Sequence, residues 1–271
     1  MGVLRSSLKA VTAVVSRNRL TARLFEAVST SLFYNHVALV KGRHLAAIHA
    51  ATGGVVEDGP FRGLRLGRAA HWGHDGIAML LGDYEREVAA ALFARDLSAY
   101  GVFVDVGAAN GYFAVGMALA SPLPVVAFER DPASRAVIRA NAALNHVSLD
   151  LREEATAAAL QAVIAKKPGR ALVLVDIEGA ELAVLDPAET PALARADIVV
   201  ENHVVGGTRS LDVLAGRLAA THAAVPIPRE GRNPFRSAHL RALPDNEAWA
   251  CLTEQRAADS GWVLFRALAY P

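Results

Sequence analysis

The sequence predicts an α/β fold: a mostly parallel sheet with helices on both faces, plus an N-terminal helical extension. Three observations carry this. From Val102 onward, short unbroken apolar runs alternate with helical patterns. Such runs suit strands buried on both faces, and the alternation is that of parallel sheets joined by crossover helices. Apolar residues make up 53% of the chain and aromatics only 6%, enough for a large aliphatic core. Four of the runs end in an acid or an acid-bearing loop (Asp105, Glu129, Asp176 and Glu201), and ligands of open α/β sheets sit beyond those ends.

The elements follow in order. The first 25 residues hold five Lys or Arg and no acid, a bias shared by transit peptides and membrane-surface helices. An amphipathic helix from about Leu8 to Val40, docked on the main domain, accounts for the same pattern. A cytoplasmic protein without membrane contact is expected. Gly53–Leu66 suggests a short hairpin, and His71-Trp72-Gly73-His74 reads as a loop able to cover a substrate. Asp83–Leu97 is a predicted helix. Val102–Asp105 is the first strand, followed by a helix from Tyr112, and Val125–Glu129 is the second. Asp131-Pro132 then supplies a helix N-cap with proline at the first helical position, opening a helix to Leu144. Val147–Leu151 is strand-like and Ala155–Lys166 helical. Leu172–Asp176 and Ile198–Glu201 are apolar strands, Leu211–His222 a helix and Trp262–Ala267 the last strand. The division expected is residues 1–82 as a helical and hairpin extension and 83–271 as the main domain.

Charge and cysteine usage narrow the function. With 28 basic and 27 acidic side chains there is no basic surplus of the kind that binds nucleic acid. The single cysteine, Cys251, forbids an intramolecular disulfide and a thiolate zinc cluster.

The turn after the first strand reads Asp105-Val-Gly107-Ala-Ala-Asn110-Gly111. The G-x-G-x-x-G spacing of dinucleotide sites and the lysine of a phosphate loop are both absent. Asp105 would repel a pyrophosphate, so a ligand with a cationic end fits better. S-adenosylmethionine has such an end, and glycine lets backbone approach it where a Cβ would intrude. Glu129, ending the second strand, is placed to accept both ribose hydroxyls.

VFVDVGAANGYFAVG, VVAFERDP, LVLVDIEGAELAVL and VVENH, with GDYEREV upstream, together resemble the FkbM family of class I methyltransferases over about Gly82 to His203. The resemblance implies a Rossmann-like class I methyltransferase domain using S-adenosylmethionine, most often for O-methylation of hydroxyls on small molecules, natural products or sugars. It implies that Asp105, Gly107, Asn110 and Gly111 hold the methionine end, and Glu129 the ribose. It also implies that Tyr84 and Glu85 line the cofactor pocket. Arg130 stands where the family usually has Pro, and Ala180 where it usually has a bulky aromatic. Glu154, after the third strand, is the candidate for the adenine amine.

The remaining acids stand beside the methyl donor, Asp176 among them, and suit two roles. Asp176, Glu201 and Asn202 could bind Mg²⁺ through oxygen, similar to catechol-type enzymes. Alternatively His203 is a general base oriented by Asp176 or Glu201. Arg229, Arg232 and Asn233 lie in a later loop that could meet substrate. A small-molecule or glycan acceptor is expected. The competing classes are a nicotinamide-linked oxidoreductase and a methyltransferase-like binding module without turnover.

Overall fold

The computed structural model describes residues 19–68, 75–257 and 260–268. Helix α1 (Arg19–Ala51) leads through a turn region with a single bridge, Val55 to Arg65, into the short helices α2 (Gly76–Leu81) and α3 (Arg86–Phe93). The sheet elements are β1 (Tyr100–Val106), β2 (Val125–Phe128), β3 (Asp150–Arg152), β4 (Arg170–Val175) and β5 (Ala196–Glu201). Their connecting helices are α4 (Tyr112–Ala120), α5 (Pro132–Leu144), α6 (Ala157–Lys166) and the single turn α7 (Glu181–Val184). A small hairpin follows, β6 (Val204–Val205) and β7 (Thr208–Arg209), then α8 (Ser210–Leu218) and β8 (His222–Ile227). Helices α9 (Ala238–Arg241) and α10 (Asp245–Leu252) precede β9 (Trp262–Ala267).

Seven strands form one sheet in the order β3-β2-β1-β4-β5-β9-β8. The first five are mutually parallel, and β9 runs antiparallel between β5 and β8. This order, with one reversed strand near the edge, is a Rossmann-like arrangement. The in-register pairs Val106 with Phe128 and Val106 with Val175 bring the ends of β1, β2 and β4 to one rim.

The period-two pattern of the strands divides the core between the two faces. Phe103, Leu172, Leu174 and Val199 bury on one side with α1, α4 and α10. Val102, Val104, Val173, Val175, Ile198 and Val200 bury on the other with α6 and α8. Local chemistry sets the helix starts. Asp131 accepts from the Ser134 amide at 2.7 Å with Pro132 behind it, and Thr156 accepts from Ala159 at 3.1 Å.

Several boundaries differ from those the sequence predicts. Helix α1 runs on through Gly42 to Ala51, and ends where Gly53 and Gly54 take positive φ. Its second half packs into the main core through Val37, Val40 and Ile48. Buried Lys41 joins Asp75 and the Thr253 carbonyl, each at 2.6 Å. Val56, Phe61, Leu64 and Leu66 bury in the same cluster, so the N-terminal segment has no core of its own. The helix expected over Asp83–Leu97 is confined to α3, and the strand expected over Val147–Leu151 lies at Asp150–Arg152. His222 does not end a helix but opens β8, an edge strand half open to solvent. His71, Trp72 and His74 lie outside the described residues.

Candidate active site

A cavity of about 600 Å³ opens at the carboxyl rim of the sheet. Its lining includes Tyr84, Glu85, Asp105, Gly107, Asn110, Glu129, Glu154, Asp176, Glu201 and His203. Nearly all the acids and turn residues singled out in the sequence therefore meet in one place; Asn202 and Gly111 are not on the lining.

The first end is built by the turn after β1. The Gly107 and Ala108 amides donate to the Phe128 carbonyl at 2.9 and 3.0 Å, folding the turn over the end of β2. Glu129 accepts from the Ala109 amide at 2.8 Å and from Asp131 at 2.7 Å. Each carboxylate oxygen has lone pairs to spare, so these bonds fix the group without exhausting it. Asp105 is 3% exposed, and its Oδ2 has no hydrogen-bond partner. Burial, followed by the nearby Glu129 charge, pushes its carboxyl up to about 7. A buried carboxylate with an empty acceptor is costly unless a cation meets it.

The glycines have a part within the turn itself. Gly107 has φ 91°, and a Cβ there would fall on the Asp176 carbonyl of the neighbouring loop. At Gly111, with φ 82°, a Cβ would crowd Val115 and Ile138. Asn110 turns its oxygen to the Tyr112 amide at 3.0 Å, capping α4, and its amide to the Met79 sulfur at 3.2 Å. Tyr84 stands edge-on to Tyr112, ring centres 5.5 Å apart.

The second end gathers around His203, immediately after β5. Its Nδ1 lies 2.8 Å from Oε1 of Glu181, which is fully buried and also accepts from the Gly179 amide at 3.0 Å. Nε2 faces Glu178 Oε2 at 3.4 Å, Glu201 Oε2 at 3.6 Å and Asp176 Oδ1 at 3.7 Å. The bond to Glu181 holds the imidazole above its ordinary pKa. Burial works to raise Glu181, but the His203 and Gly179 bonds bring it below its usual value. Asp176 is raised well above the carboxylate range, by burial first and then by Glu201 and Glu85.

Three expectations are corrected here. The carboxylate that orients His203 is Glu181, not Asp176 or Glu201. Asn202, 2% exposed, accepts from the Leu211 amide at 3.2 Å at the start of α8, so the oxygen set Asp176–Glu201–Asn202 proposed for Mg²⁺ does not converge. Glu201 itself is paired through Oε1 with Arg256. The Arg229–Asn233 loop is structural: Arg232 pairs with Glu87 at 2.7 Å and Glu254 at 2.6 Å, and Arg229 holds the Ala257 and Ser260 carbonyls.

Sequence reasoning missed Arg256. It lies in the loop after α10, 5.8 Å over the Trp262 ring, and pairs with Glu85, Glu201 and Glu254. A lone arginine in a loop carries no signal of its own. Backbone strain marks the same region. Of five non-glycine residues with positive φ among the described ones, Glu85, Ala109, Glu178 and Gln255 line the cavity. Such conformations persist only where the surroundings over-determine them.

No family model matches the chain, and no curated protein matches it. Among solved structures, it is similar to the O-methyltransferase TomG from Streptomyces achromogenes in complex with SAM. Identity is 19%, over 52% of this chain and 72% of that one, with a TM-score of 0.41. An rRNA methylase from Streptococcus thermophilus aligns at 13% identity over 68% of this chain and 98% of its own, TM-score 0.43. A precorrin-6y C5,15-methyltransferase from Geobacter metallireducens aligns at 17% over 66% and 86%, TM-score 0.36. Among the described residues, no helix is long and apolar enough to cross a membrane.

Proposed function

We propose that the protein is an S-adenosylmethionine-dependent methyltransferase that methylates a hydroxyl on a small molecule or glycan, in the manner of the FkbM family its motifs resemble. The observation that carries this reading is Asp105: a buried carboxylate at the end of β1, its Oδ2 without a partner, facing the same cavity as Glu129. The ammonium of the cofactor's methionine end satisfies Asp105, and its ribose hydroxyls meet the acceptor capacity left on Glu129. A nicotinamide dinucleotide also offers ribose hydroxyls to Glu129, but its pyrophosphate would lie against Asp105, so the Asp105 carboxylate is what separates the two ligands.

When bound, S-adenosylmethionine would supply a methyl group on a sulfonium, whose C–S bond breaks, leaving a neutral thioether, as the acceptor oxygen bonds to the methyl carbon. The chain's own work is placement and proton removal. The ends of β1 and β2 hold the donor at one side of the cavity. The groups after β4 and β5 face the other side, where Asp176, Glu178, Glu201 and His203 receive the acceptor and take up its proton. Aligning two reactants in this way accounts for much of the acceleration in an in-line displacement. An inert binding module has no use for a strained, acid-lined cavity.

Calorimetry with S-adenosylhomocysteine tests the reading. The wild-type chain should bind it, and Asp105→Asn, which keeps the shape and removes the charge, should weaken binding by about 1.5–3 kcal/mol. Failure of the wild type to bind, or stabilisation by NAD instead, would refute it.

A further inference from the structure

The cluster around His203 is more specific than an acidic patch. Its imidazole is held from behind: Nδ1 is engaged by the fully buried Glu181, which presents Nε2 to the cavity. In front of Nε2 stand Glu178 Oε2 at 3.4 Å and Asp176 Oδ1 at 3.7 Å. One donor atom from each of the three residues lies within 4.8 Å of the others. Bonds of about 2.0–2.2 Å from nitrogen and oxygen to one ion place neighbouring donors roughly 3.0–3.6 Å apart. The two spacings from Nε2, 3.4 and 3.7 Å, are close to this, and the two carboxylates lie within 4.8 Å of each other. Asp176 Oδ1 is shielded and has no hydrogen-bond partner, so the cluster holds an empty acceptor 3.7 Å from Nε2. A carboxylate behind a histidine whose other nitrogen faces two more carboxylates is the usual support of a metal-bound imidazole.

Resting on the methyltransferase reading, we infer that Asp176, Glu178 and His203 bind one divalent d-block cation, which fixes the acceptor oxygen beside the methyl donor. The donor set chooses the ion. Imidazole nitrogen with two carboxylates suits Mn²⁺ or Zn²⁺, whereas Mg²⁺ and Ca²⁺ prefer oxygen alone. Three protein ligands leave positions open for a hydroxyl, whose acidity the ion raises. Glu201 pairs with Arg256 through Oε1, while its Oε2 stands 3.6 Å from Nε2 at the edge of the same cluster.

The test uses the full chain, stripped with chelator and titrated with Mn²⁺ while the signal of free Mn²⁺ is followed by electron paramagnetic resonance. One ion per chain should bind, and a tenfold excess of Mg²⁺ should not displace it. Glu178→Gln should weaken Mn²⁺ binding at least about tenfold; with Glu178 79% exposed, this variant keeps its fold. Glu181→Gln should weaken it by about 10–100-fold, the usual effect of losing a supporting carboxylate. Both variants should still bind S-adenosylhomocysteine. No bound Mn²⁺, ready displacement by Mg²⁺, or Glu178→Gln binding like the wild type would each overturn the inference and leave His203 as the base. Loss of S-adenosylhomocysteine binding by the wild type would instead strike the methyltransferase reading.

Discussion

At the scale of single residues, Gly107 shows a motif position that the fold itself constrains. The sequence marks it as a place where backbone approaches a ligand. In the structure its missing Cβ makes room for the Asp176 carbonyl, so the residue welds the loop after β1 to the loop after β4. Gly107→Ala should therefore act on the fold before it acts on the ligand. It combines a left-handed φ of 91° with a clash against backbone, and we predict a loss of about 3 kcal/mol or more in chemical denaturation. An alanine variant as stable as the wild type would show that the two loops are not joined as described. Asp105 and Glu129 were legible because an acid ending an apolar strand is rarely placed there for stability. Glu181 was not singled out in the sequence, since only the fold brings it behind His203. Asn202 was misread, since adjacency to Glu201 says nothing about which way a side chain turns after a strand ends.

At the scale of elements, legibility followed burial. Strands β1, β2, β4 and β5 were visible because both of their faces are covered, which leaves unbroken apolar runs. Strand β8, at the sheet edge, reads His-Ala-Ala-Val-Pro-Ile and is mostly open to solvent, so no period marks it; its Pro226 is tolerated only because an edge strand can spare a donor. The loop from Thr253 to Arg256 was equally hidden, yet it ties α3 to β5. Arg256 bridges Glu85 at the start of α3 and Glu201 at the end of β5, with Glu254 beside them. All four side chains are largely buried. Arg256→Ala leaves Glu85 and Glu201 without their cation and Glu254 with Arg232 alone, and breaking a buried pair in this way costs about 3–5 kcal/mol. Equilibrium unfolding in urea should register that loss. A change below about 1 kcal/mol would mean that the arginine decorates the cavity wall and does not hold it together.

At the scale of the whole molecule, charge is nearly balanced, at +1, yet it is unevenly spread. Eleven acids and two arginines line the cavity. Crowding and burial make some of these acids hold protons that an unfolded chain would release, which gives the free protein a distinctive response to pH. Asp105, raised to about 7, binds a proton in the folded state between about pH 4 and 7 where the unfolded chain does not. Stability must then fall as pH rises through that window, by up to about 1.4 kcal/mol per unit for this group. Asp176, also raised, acts in the same direction. The raised His203 adds to it, because its contribution is complete below about 6.5 and is lost as pH climbs through its folded value. Glu181, Glu254 and Asp131 are lowered, so their contribution is present above the ordinary carboxylate range and is lost as pH falls below it. These opposing limbs put the stability maximum of the free protein on the acid side of neutrality. Binding an ammonium at Asp105 expels its proton, so stabilisation by S-adenosylhomocysteine should grow with pH and level off above about 7. Melting curves of the free and ligand-bound chain from pH 4.5 to 8.5 measure both effects, and Asp105→Asn should flatten the upper limb of the free protein. A melting temperature of the free wild type that is level from pH 5 to 8 would mean that the rim acids are ionised throughout. The unpartnered carboxylate of Asp105 would then be neutralised by something other than a proton or the cofactor.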